Sequence, residues 1–165
     1  MAMNKLLYFS LVIFTAYLLL IYALFKWIPS ISQSYYEFKQ KYGKWSTWIF
    51  SITLFLFATP VMIAGLSMSN GSNYQFLLFL APLGICFTGA APQFKESLTI
   101  NIHYAGAVVG ILSGMLALVL ILKLYLVVGI WLIVCLALIL LKVSNKTYWI
   151  EVVSFYTIIL SLMFN

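Results

Sequence analysis

Between residues 104 and 141 the chain carries a single charged residue, Lys123, in an otherwise apolar run. Drawn out as one helix, that run would be about 57 Å long at roughly 1.5 Å per residue. The hydrocarbon core of a bilayer is only about 30 Å thick. The run therefore predicts a helical hairpin, turning near 123–129, with arms at 104–122 and 127–141. Four more apolar stretches, 6–28, 45–66, 76–91 and 148–164, are each long enough or nearly long enough to cross a bilayer. Lipid offers no partner to an exposed backbone N–H or C=O, so such stretches are helices.

The expected architecture is all-α: a polytopic transmembrane helix bundle of six spans in one domain, 1–165. It has five spans if the third, interrupted by Pro82 and Gly84, is re-entrant. Pro60 is expected to kink or end the second span, because proline removes a helix hydrogen bond. The segment 29–44 reads as the longest polar connection, and 92–103 as a second one that leaves His103 at the start of the fourth span. Asn70, Gly71 and Ser72 mark a turn.

Composition agrees with this class. Hydrophobic residues make up 65% of the chain and charged residues 7%, with a mean hydropathy of +1.11. A soluble domain carries about a quarter charged residues. The run after Lys5 exceeds the apolar core of about 7–15 residues typical of a secretory signal and has no small-residue cleavage site after it, so it reads as a retained span. A net charge of +6 raises the question of nucleic acid. However, the lysines punctuate apolar runs instead of clustering on a wet face, and the chain has no arginine for bidentate phosphate contacts. Nucleic acid is excluded as a partner. Cys86 and Cys135 both sit inside apolar runs and read as small buried thiols. No spacing of Cys and His resembles a metal site, and no cofactor is expected.

Seven of the nine lysines, Lys26, Lys39, Lys41, Lys44, Lys95, Lys142 and Lys146, fall in the breaks after the first, third and fifth spans; Lys5 and Lys123 lie opposite. Lysine-rich short loops remain cytoplasmic, so both termini are predicted to be non-cytoplasmic. Trp27, Trp45, Trp48, Tyr148 and Trp149 sit near the lysine-rich boundary, where amphipathic rings anchor a protein to the interface.

Polar residues gather at that same boundary. They include Ser30, Ser32, Ser34, Tyr35 and Tyr36, the only histidine, His103, and all three acids, Glu37, Glu96 and Glu151. A serine, a histidine and a carboxylate can serve as nucleophile, base and orienter, which makes His103, Ser32, Ser34, Glu37 and Glu151 the candidate catalytic set. The plainer reading is that a wet face collects polar residues, or that they form a structural network between helix ends. Separately, Gly106, Gly110 and Gly114 recur every four residues along one face of the fourth span. Stripes of small residues let two helix backbones approach closely. The stripe serves packing inside the bundle, a seam between copies of the chain, or a channel.

Two stretches resemble a known family. Pro29, Ser30, Ile31, Ser32, Gln33, Ser34, Tyr35, Tyr36 and Glu37, directly after the first span, resemble the Pro-x-Ile-Ser-x-Thr signature of the damage-regulated autophagy modulator (DRAM)-like membrane proteins. His103, Tyr104, Ala105, Gly106 and Ala107 resemble the His-x-x-Gly-Ala that opens a later span in that group. Gln33 stands where the family has an acidic residue, and Tyr35 where it has glycine. The resemblance implies a polytopic fold and a role linked to autophagy or to lipid remodelling of GPI anchors. It singles out Ser32, Ser34, Glu37 and His103 together. The family is drawn with a cytosolic N-terminus, opposite to the lysine count. The composition, free of arginine and aspartate, also resembles small membrane proteins of AT-rich bacteria.

The sequence therefore predicts a multi-pass protein of a bacterial inner membrane that contacts membrane lipids, another membrane protein or further copies of itself, without catalysis. The alternative is an intramembrane lipid-modifying hydrolase or acyltransferase built on the Ser/His/Glu cluster. A third reading is an oligomeric channel packed through the glycine stripe.

Overall fold

The long apolar runs of the chain are helical, because helices close their own backbone hydrogen bonds. The computed structural model describes residues 2–91 and 96–165, and the side chains of 3–91 and 102–165. Lys95 lies outside the described residues, as does the side chain of Glu96. Among the described residues there are seven α-helices, one short 3-10 helix and no strand. They are α1 (Ala2–Phe25), α2 (Gln33–Tyr42), the 3-10 helix (Lys44–Thr47), α3 (Trp48–Met68), α4 (Gln75–Ala90), α5 (Glu96–Leu120), α6 (Tyr125–Leu140) and α7 (Lys146–Phe164).

Four segments, Met3–Phe25, Lys44–Met68, Ile102–Leu120 and Lys146–Phe164, are long and apolar enough to cross a membrane. α4 and α6 are apolar but shorter, 16 residues each. The outer surface is that of an integral membrane protein: Leu126 is 77% exposed, Ile133 68% and Leu19 65%. Water would not tolerate so continuous an apolar exterior.

The helices pack in sequence, α1 on α3, α3 on α4 and α4 on α5, while α7 lies against α1, α3, α5 and α6. The centre is aromatic. The Phe14 ring lies 4.8 Å from that of Phe57 and 5.4 Å from that of Phe155, and Phe57 and Phe155 are 5.6 Å apart, joining α1, α3 and α7. Three buried or half-buried hydrogen bonds tie helices together. Ser10 Oγ donates to the Phe57 carbonyl at 2.9 Å. Thr15 Oγ1 and Tyr156 Oη are 2.7 Å apart. Trp131 Nε1 donates to Ser154 Oγ at 2.9 Å.

The closest helix pair is α4–α5, and the glycines explain it. A Cβ added at Gly84 would lie 2.5 Å from the Gly106 carbonyl oxygen and 2.8 Å from Gly110 Cα. One added at Gly106 would lie 2.8 Å from the Gly84 carbonyl oxygen, and one at Gly110 would lie 3.1 Å from that of Ala81. Gly114 turns to α7, where a Cβ would collide with the Ile158 side chain. The stripe is therefore covered within the chain, and its partner on α4, Gly84, is a residue that reads in the sequence only as an interruption.

Several local expectations change. α3 runs through Pro60 without ending. Proline withdraws one donor, leaving the Leu56 carbonyl without its usual partner, while α3 packs against α1 and α4. The polar connection 29–44 contains α2, whose Phe38 is buried. α5 begins at Glu96, seven residues before His103, so the histidine lies two turns inside the helix. The hairpin turns at Lys123, which has φ 59°, and Gly129 is inside α6. Lys26 (φ 63°) and Lys142 (φ 50°) follow the ends of α1 and α6 in the same left-handed region, normally a glycine position. At Lys123 the side chain compensates by donating from Nζ to the Leu120 carbonyl at 2.8 Å.

Gly84→Ala should destabilise the protein by about 1–3 kcal/mol through overpacking at the α4–α5 crossing. Gly129→Ala, where an added Cβ meets nothing within 4 Å, should change stability by less than about 1 kcal/mol. Thermal unfolding in detergent measures both.

Candidate functional site

The site begins with the segment between α1 and α2. Pro29 cannot continue α1, and the next residues are irregular, so their backbone groups need outside partners. The start of α7 provides them. Tyr148 N–H, one of the donors a helix leaves unpaired in its first turn, donates to the Pro29 carbonyl at 3.1 Å. In return, Ile31 N–H donates to Glu151 Oε2 at 2.7 Å, across 120 residues of sequence. The two bonds clasp the segment to α7 and present Ser30 and Ser32 beside Glu151.

A second contact comes from α4. The Thr88 carbonyl lies near that helix's C-terminus, and residue 92, its expected i+4 partner, is a proline with no N–H to offer. The His103 ring faces that carbonyl across the α4–α5 contact. Its ring also meets that of Tyr104 edge-on at 5.9 Å.

These groups surround one end of a cavity of about 380 Å³ between α5, α6 and α7. Ser30, Ser32, His103, Thr147 and Glu151 line its polar end. Ala107, Val108, Ile111 and Leu112 of α5 form one wall, and Trp131, Cys135 and Ile139 of α6 the other. The space lies between the parts of α5 and α6 remote from the Lys123 turn. Its mouth faces outward, since Tyr104, Val108, Leu112 and Ile139 are all exposed. In a bilayer that opening faces lipid. A volume of this order is typical of small-molecule sites, about 300–1,000 Å³.

The structure thus brings together three of the five candidate residues, Ser32, His103 and Glu151. Ser34 is elsewhere: it is fully buried, donates to the Ile31 carbonyl at 2.5 Å and sits 2.5 Å from Tyr17 Oη. A hydroxyl has one proton, so Tyr17 is the donor to Ser34, and Ser34 acts as a tie between α1 and α2. Glu37 lies on α2, where its Oε1 accepts from Gln33 Nε2 at 3.2 Å. Neither lines the cavity. Ser32 Oγ is 2.9 Å from Ser30 Oγ. Gly106, Gly110 and Gly114 shape the back of α5, toward α4 and α7.

Sequence reasoning missed Thr147, Trp131 and Cys135. Trp131 carried a signal: an indole N–H in the middle of an apolar run needs an acceptor, and Ser154 is a hydroxyl in the middle of the last one. No family model, curated protein or solved structure matches the chain.

Glu151→Ala removes the acceptor of the Ile31 N–H and should cost about 1–3 kcal/mol. Glu151→Gln keeps a carbonyl oxygen there and should cost less than half as much, as read from thermal midpoints in detergent.

Proposed function

We propose that this protein is a six-span membrane protein that holds one amphiphile in the α5–α6–α7 cavity, polar end toward the Ser30–Glu151 clasp and chain between α5 and α6. One observation carries the reading. The cavity is polar at a single end, apolar along the rest, and open sideways to the surface that lipid would cover. A water-soluble substrate would need a wet entrance, whereas a lipid can slide in laterally. Lipid handling is also what the DRAM-like resemblance implies. The count of six includes α4 and α6, each about 24 Å long; a bilayer thins to meet helices of that length at modest cost.

The test is retention. Protein extracted in mild detergent should keep a bound lipid through washing, recovered intact by solvent extraction. Ala107→Phe, which fills the cavity, should lose it, while Leu19→Phe on the outer face of α1 should not. Equal lipid content in the two variants would remove the cavity from the proposal.

A second reading is supported by Ser32, His103 and Glu151 sharing one cavity. It is a lipid hydrolase or acyltransferase with Ser32 as nucleophile, His103 as base and Glu151 as orienter. The first reading is favoured because Glu151 already accepts from Ile31 N–H and Ser32 is paired with Ser30. The same extraction separates them: binding alone returns intact lipid, and catalysis returns cleavage or transfer products.

The lysine distribution further predicts a cytoplasmic clasp, with both termini outside the cytoplasm of a bacterial inner membrane. A Lys41→Cys variant lacking Cys86 and Cys135 should resist a membrane-impermeant maleimide on intact cells. Labelling would reverse the orientation and favour the arrangement that the DRAM-like resemblance implies.

A further inference from the structure

The polar end of the cavity has a chemical bias. Its side chains are one carboxyl group, Glu151, three hydroxyls, Ser30, Ser32 and Thr147, and the imidazole of His103. Among the described residues no lysine lines it, although Lys146 immediately precedes Thr147 and seven of the nine lysines belong to this boundary. Among the described residues the lysines of this boundary are exposed, and the acid lines the cavity. That is the reverse of a phosphate site, where cationic side chains and helix N-termini converge on the ligand. At the N-terminus of α7 the Tyr148 N–H is already bonded to the Pro29 carbonyl. Glu151 has one carboxyl oxygen on Ile31 N–H and a second that can accept, and hydroxyl oxygens offer further lone pairs.

We infer that the cavity selects an amphiphile whose head donates hydrogen bonds and carries no net negative charge. This rests on the amphiphile reading above. Two lipid classes present that chemistry, a hydroxyl head as in a monoacylglycerol and a primary ammonium head as in phosphatidylethanolamine. Each places a donor against Glu151 and the serine hydroxyls while its chain runs between Leu112 and Trp131. An anionic phosphatidylglycerol brings a negative group to a carboxyl group without a compensating cation among the described residues.

The experiment uses the full-length protein in phosphatidylcholine vesicles. Each vesicle preparation contains a small fraction of one photoreactive, diazirine-chain probe: monoacylglycerol, phosphatidylethanolamine or phosphatidylglycerol. Crosslinks mapped to α5 and α6 beside the cavity are normalised to crosslinks on the outer face of α1, which report bulk lipid. The hydroxyl and ammonium probes should exceed phosphatidylglycerol by about tenfold, the value of one charge-assisted hydrogen bond, and their ratio identifies the source. Thr147→Lys adds a cation at the same end without touching the clasp and should move the preference toward phosphatidylglycerol. Glu151→Leu should abolish discrimination; if it fails to fold, the Thr147 variant still decides. Cavity crosslinks equal for all three heads, or a Thr147→Lys variant with unchanged preference, would overturn the head-group inference and leave lipid occupancy standing. Crosslinks no richer at the cavity than on α1 for every probe would overturn the occupancy reading itself.

Discussion

A backbone in hydrocarbon has no water to pair with, and each unpaired N–H or C=O costs several kcal/mol. Much of this fold answers that constraint. The apolar runs coil into helices, and irregular backbone appears where a partner is supplied. The clearest instance is the segment after α1, whose carbonyl at Pro29 and N–H at Ile31 are both taken up by the first two turns of α7. Glu151, which a functional reading selects, is in the structure first of all the acceptor of a stranded backbone N–H.

Helix association in lipid has little hydrophobic driving force and relies on close packing and buried hydrogen bonds. The bundle uses both. α4 and α5 are brought together by Gly84 against Gly106 and Gly110. α6 has no such seam with α5; it is held to α7 by the Trp131–Ser154 hydrogen bond and to α5 by a turn at Lys123. The difference has a direct consequence. The glycine-lined pair closes, and the pair walled by Val108, Ile111 and Leu112 on one helix and Trp131 and Ile139 on the other stays apart. The cavity is the result of where small residues are placed and where they are not.

That Ser30, Ser32, His103 and Glu151 share one end of the bundle was legible from the spacing of apolar runs alone, because the order of the helices sets which connections lie together. Which of those residues meet was not. Ser32 and Ser34 are two positions apart, yet one lines the cavity and the other is buried against Tyr17. The start of α2 turns successive side chains in different directions, and nothing in the composition of 29–44 announced that helix except the spacing of Tyr35, Phe38 and Tyr42. The helical start of α5 before His103 was hidden for a related reason: Ser97, Thr99 and Asn101 read as connection, and helix continues through polar residues once the apolar part has nucleated it.

By itself the sequence determined the class of protein, its helical character, and the hairpin near Lys123, because bilayer thickness and helix rise leave a 38-residue apolar run no alternative. It also determined that a glycine-faced helix would be approached closely. The tertiary structure decided which helix makes that approach, that Glu151 holds a backbone N–H 120 residues away, and that α5 and α6 diverge around a cavity with one polar end. Those outcomes depend on contacts between segments remote in the chain. Periodicity and composition describe each segment's own faces, and only the packed bundle selects which faces meet.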